Sequence, residues 1–94
     1  MDLKISLSKH AKIAVADREI SAASILQALQ KPDERFFDIS TNHNVTVKRM
    51  KGGALIVVYD IVGRSHEIVT VFSTTKAEKI IRKKVEIGYW VRLK

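Results

Sequence analysis

The chain has no cysteine, a single proline and only four glycines among its 94 residues. Without cysteine there is no disulfide framework, no thiolate metal site and no sulfur nucleophile, which excludes zinc fingers, papain-like enzymes and redox motifs. So little proline and glycine leaves no linker, and the chain shows neither repeats nor a low-complexity segment. No apolar run approaches the roughly 18 residues of a membrane span, and Met1-Asp2-Leu3-Lys4 lacks the long apolar stretch of a secretory signal. A soluble, cytoplasmic protein with no membrane partner is the expectation.

What is present suffices for one compact domain over residues 1–94. Apolar residues make up 46% of the chain and charged residues 29%, enough to build a core and unlike a disordered tail. Basic residues outnumber acidic ones by 17 to 10, a formal net charge of +7. Residues 1–41 carry six groups of each sign, whereas residues 42–94 carry eleven basic groups against four acidic. Charge gathered in one half attracts a polyanion, because each neutralised phosphate releases condensed counterions. The expected partner is a nucleic acid or an acidic protein; the competing reading is a surface charged only for solubility.

Leu3, Ile5 and Leu7 alternate with polar residues and predict a short strand. Ser8 can cap a helix over residues 9–18, and Ser21 a second one in which Ala22, Ile25, Leu26 and Leu29 recur at helical spacing before Pro32 stops it. As a DNA-reading helix-turn-helix this pair fails, since residues 22–30 hold no Arg or Lys. Beyond Pro32 the period becomes two. Segments 35–41, 45–51, 54–61 and 66–73 read as strands of an antiparallel meander, divided by Thr41-Asn42-His43-Asn44, Gly52-Gly53 and Gly63-Arg64. His43, in a turn, is expected only to be solvated. Thr75-Lys76-Ala77-Glu78 matches a capping box for a basic third helix ending near Gly88, and Tyr89-Trp90-Val91-Arg92-Leu93 reads as a last strand or a docked tail. The predicted architecture is α+β: two N-terminal helices packed on an antiparallel sheet of four to five strands, with a C-terminal basic helix.

Two-residue hairpin loops at Gly52-Gly53 and Gly63-Arg64 set Arg49 opposite Ile56, Ile61 opposite His66, Tyr59 opposite Ile68 and Asp60 opposite Glu67. One face then carries Val45, Val47, Ile56, Val58, Val69 and Val71 and is expected beneath the first two helices. The other carries Thr46, Lys48, Tyr59, His66, Thr70 and Phe72, a mixed surface suited to a polar ligand.

Ser8-Lys9-His10-Ala11, Arg18 eight residues after the histidine, Ile20-Ser21, Ile25, Ala28-Leu29, Pro32-Asp33 and the stretch Val69-Thr70-Val71-Phe72-Ser73-Thr74-Thr75-Lys76 together resemble a family of short domains related to RelE- and BrnT-type toxins. The resemblance implies a RelE-like, microbial-ribonuclease-like fold. It also implies a metal-independent endoribonuclease of a toxin–antitoxin module, without cofactor, acting on RNA, ribosome-associated or free, with an acidic antitoxin as partner. The family often has an arginine four residues after the histidine; here that position is Ala14.

Cleaving RNA without metal needs a base for the 2′-hydroxyl, an acid for the leaving 5′-oxygen and cations for the phosphate. His10 is a candidate base or acid and Arg18 a candidate phosphate clamp; the plainer readings are a backbone-bonded helix start and an ion pair with Asp17 or Glu34. Tyr59 and His66, with Lys48 and Thr70, form a second constellation that can stack, donate or exchange a proton. Lys48, Lys76, Lys79, Arg82, Lys83, Lys84 and Arg92 are the candidate nucleic-acid contacts, with Tyr89 and Trp90 as stacking rings unless Trp90 closes the core. Three histidines without paired spacing predict no metal site. Two alternatives stand beside the ribonuclease: a nucleic-acid-binding module without catalysis, and an adaptor for an acidic protein.

Overall fold

A computed structural model describes residues 3–94. The chain runs β1 (Lys4–Leu7), α1 (Lys9–Arg18), α2 (Ala22–Gln30), β2 (Glu34–Asp38), β3 (His43–Met50), β4 (Gly53–Val62), β5 (Ser65–Thr74), α3 (Ala77–Glu86) and β6 (Trp90–Leu93). Local chemistry explains the helix starts. Ser8 Oγ accepts from Ala11 N at 3.0 Å and Ser21 Oγ from Ser24 N at 3.1 Å, each satisfying an otherwise orphaned first-turn donor. The third helix departs from expectation. Its N-cap is Lys76, without a side-chain cap, because Thr74 Oγ1 takes the Lys76 N–H at 2.9 Å and the predicted Thr75 box is not used. Gly88, at φ 82°, turns the chain out of α3 as predicted.

The strands form one sheet in the order β1-β5-β4-β3-β2-β6. This corrects the predicted four to five antiparallel strands to six in a mixed sheet, while the class remains α+β. Two strands make the difference. β1 lies parallel to β5, with Ile5 beside His66 and Leu7 beside Ile68. β6 lies antiparallel to β2, held where Trp90 Nε1 donates to Asp38 Oδ2 at 3.1 Å. The helices α1 and α2 cover one face and α3 the other.

Register shows why the predicted faces were partly wrong. The β3–β4 turn uses Lys51-Gly52, placing Met50 opposite Gly53 and Val47 opposite Ile56. That shift of two residues leaves each side chain on its face, since strand side chains alternate. Gly53 stands so close to the Thr74 carbonyl that any side chain there would collide with it. Between β4 and β5 the predicted pairs Ile61–His66, Asp60–Glu67 and Tyr59–Ile68 are present, but Val69 is then an extra residue and Val58 pairs with Thr70. The bulge swings Val71 to one face and Thr70 and Phe72 to the other.

Two cores result. Beneath α3, Phe36, Val45, Val47, Ala54 and Ile56 pack with Ala77, Ile81 and Trp90. Beneath α1 and α2, Leu55, Val57, Ile68 and Val71 pack with Ala11, Ile25 and Ala28. The Val45, Val47, Ile56 and Val58 set predicted beneath the first two helices therefore lies under α3 instead. Among the described residues no helix is long and apolar enough to cross a membrane.

Asp38 fastens the β2–β3 hairpin to the C-terminal strand. It is 8% exposed, and besides Trp90 it accepts from Ser40 N at 2.9 Å and Thr41 N at 3.2 Å. Burial alone would raise its carboxyl, but the bonds from Ser40, Trp90 and Thr41 outweigh that and hold it below the ordinary carboxylate value. Asp38→Ala leaves these donors unmatched and should cost about 1–3 kcal/mol at neutral pH, read by denaturant unfolding. The depressed value makes the contribution complete above the unfolded-state value near 4 and lost as pH falls through the folded one. Acidification should therefore narrow the gap between parent and variant; a gap that widens on acidification contradicts this role.

Candidate nucleic-acid interface

The candidate catalytic residues do not converge on one point. Tyr59 and His66 do meet: their rings lie 5.3 Å apart, stacked at 28°, on the face that carries α1 and α2. Burial raises the Tyr59 phenol above its ordinary value, and the Arg35 guanidinium opposes this only in part. A phenol so held donates a hydrogen bond at neutral pH and is no base. His66 Nδ1 is buried with no partner among the described residues. His10 is exposed in the first turn of α1 and makes no side-chain hydrogen bond among the described residues. Arg18 is committed elsewhere, since its Nη1 donates to the Val71 carbonyl at 2.9 Å. His66 and Val71 are five positions apart on β5, which is about 16 Å along an extended strand. Arg18 thus serves the stretch of β5 that runs beyond its pairing with β1, where Ser8 Oγ also donates to the Val69 carbonyl at 3.1 Å. Neither predicted ion pair of Arg18 is present.

The second constellation is split by the bulge. Lys48 and Tyr59 share a face with Thr46, but Thr70 lies on the opposite one. Lys48 Nζ donates to the Lys31 carbonyl at 2.8 Å, tying the end of α2 to β3. His43, predicted to be merely solvated, opens β3 and hydrogen-bonds Asp60 at 2.7 Å.

Of the candidate phosphate contacts, some are already engaged. Glu34 binds Arg92 and Arg49, and Arg49 also binds Glu78 of α3. Burial works against the Glu34 charge, but the two guanidinium groups hold its carboxyl below the ordinary value. Lys84 sits over the Tyr89 ring at 5.5 Å. Lys76, Lys79, Arg82 and Lys83 are exposed and, among the described residues, free of ion pairs. Lys76, Lys79 and Lys83 recur at i, i+3 and i+7 and form a stripe opposite the buried Ala77 and Ile81.

At the N-terminal end of that stripe, an open cavity of about 570 Å³ is lined by Lys51, Gly52, Gly53, Ser73, Thr74, Thr75 and Lys76. A smaller one of about 210 Å³ adjoins it through Met50 and Ser73 and is lined by Arg18, Ser21 and Ser24. The fold thus brings Arg18, Lys51 and Lys76 to one end of the sheet. Lys51 was not singled out from the sequence, although its place in a glycine turn was the available signal. Among the described residues no His, Asp and Glu grouping fit for a metal ion occurs.

Set against family models, curated proteins and solved structures, the chain matches none of them. The resemblance to RelE- and BrnT-type toxins rests on the residues quoted for it alone.

The Tyr59 environment is testable by ultraviolet titration, which reads the two tyrosines, Tyr59 and Tyr89. A raised folded value means that stability is complete below the unfolded tyrosine value of about 10 and declines as pH rises through the folded one. Tyr59→Phe should flatten this alkaline decline and remove the titration step that lies above the ordinary tyrosine value. If the variant declines as steeply as the parent, the phenol is not held as described.

Proposed function

We propose that the protein binds RNA through its phosphate backbone, along α3 and onto the cationic end of the sheet. The observation that carries this is the contrast among the basic residues. Arg18, Lys48, Arg49 and Arg92 are used by the protein for its own bonds, whereas Lys76, Lys79, Arg82 and Lys83 stand together without acidic partners. Unpaired cations in a row track a polyphosphate chain, and the hydroxyls of Ser73, Thr74 and Thr75 add donors at its end. The charge bias of residues 42–94 supports the same reading.

Binding without cleavage fits the geometry better than a ribonuclease. The candidate catalytic groups do not converge: Arg18 is occupied by Val71, five positions along β5 from His66, Tyr59 is held as the neutral phenol, and Ala14 leaves the second cation of the resembling family unfilled. The toxin reading and its antitoxin partner rest on the resemblance and gain nothing from this arrangement.

Anisotropy of a labelled single-stranded RNA across a salt series tests the proposal. The affinity should fall steeply with salt, and changing Lys79 and Lys83 together to Gln should flatten the logarithmic slope by about 1.4, since each phosphate contact on a single strand contributes about 0.7. An unchanged slope, or no binding at low salt, overturns it.

A further inference from the structure

The sheet face that carries α1 and α2 is only partly covered. α1 packs on β5 and β1 and α2 on β4 and β3, leaving the β2 and β6 side of that face open. Register places Arg35 and Phe37 of β2, Asn44 of β3 and Tyr59 of β4 on it, with Val91 beside Phe37. Phe37 and Tyr59 lie two strands apart, about 10 Å, with Asn44 between them. Val91, on the edge strand β6, is 49% exposed. The β6 edge of this surface follows α3 in the chain. The end of α3 leads to Tyr89, whose carbonyl accepts from Ile39 N at 2.9 Å, and two residues later Val91 pairs with Phe37.

We propose that this open face receives unpaired nucleobases, so that the RNA held by α3 is single-stranded and turns around the β6 corner onto Phe37 and Tyr59. The inference rests on the RNA reading above. Aromatic rings accept any base by stacking, the Asn44 amide offers a donor and an acceptor to a base edge, and Arg35, whose guanidinium donates to the Lys94 carbonyl and has no acidic partner among the described residues, supplies charge beside them. A duplex hides its base faces and cannot use such a surface. A second copy of this chain is a poor occupant, because each copy carries +7.

Three probes at one salt concentration test this: a single-stranded RNA, a duplex of the same sequence and an abasic strand of the same length. The parent should prefer the single-stranded RNA to both others. Phe37→Leu should weaken that RNA by about 5- to 150-fold, the range of one lost stacking contact, with abasic binding and the salt slope unchanged, and Phe37→Tyr should restore it. Melting curves confirm that the variants fold. Independently of any variant, photocrosslinking of 4-thiouridine RNA to the parent should mark Phe37 or Tyr59. Equal affinity for RNA and abasic strand, full affinity in folded Phe37→Leu, crosslinks confined to other surfaces, or a dimer that dissociates on Phe37→Arg would each overturn the proposal. If abasic binding and its salt dependence on Lys79 and Lys83 persist in those cases, the backbone reading survives alone; if both vanish, that reading has failed as well.

Discussion

Six strands make a sheet about 24 Å across, and each helix laid on it is only about 15 Å long. That mismatch governs the molecule. α1 is bound to the β5 edge by Ser8 and Arg18, and α2 is bound to β3 by Lys48, so the pair cannot slide toward β6. On the other face α3 reaches from the top of β5 to the start of β6 and seals the second core with Ala77, Ile81 and Trp90. Both faces keep uncovered apolar residues, Val62 on the face of α3 and Val91 on the other.

Charge is sorted by the same architecture. β6 is drawn onto β2 by the Trp90–Asp38 bond and by Arg92, which joins Arg49 on Glu34. These contacts absorb the cations nearest the acidic residues of β2. Glu78 is turned toward Arg49, which removes an anion from the lysine stripe on α3. Among the cations left without an acidic partner in the described residues, Lys76, Lys79, Arg82 and Lys83 stand together along α3.

Much of this was legible in the residues. The serine caps fixed where α1 and α2 begin, Pro32 ended the helical period, and Gly63-Arg64 set the last hairpin, pairing Ile61 with His66. What escaped has physical causes. A bulge at Val69 leaves no mark in a run of β-branched residues, because Val69, Thr70 and Val71 fit either face, and with it went the assignment of Thr70, Phe72 and Val71. The parallel partnership of β1 with β5 spans some sixty residues and has no local signal. The sequence showed that Arg18 and Lys48 were basic but not that backbone carbonyls of β5 and α2 would claim them. Phe37 went unnoticed because the face of β2 depends on its pairing with β3, which the turn at residues 39–42 alone does not specify.

The central claim is that RNA lies on α3, and amide chemical-shift mapping of the whole protein during titration with a short single-stranded RNA tests it most directly. The account predicts shifts clustered at Lys76, Lys79, Arg82 and Lys83 and at the Lys51–Gly53 turn, fading as salt is raised. Shifts confined to β1 and the outer surface of α1, or shifts indifferent to salt, would contradict it.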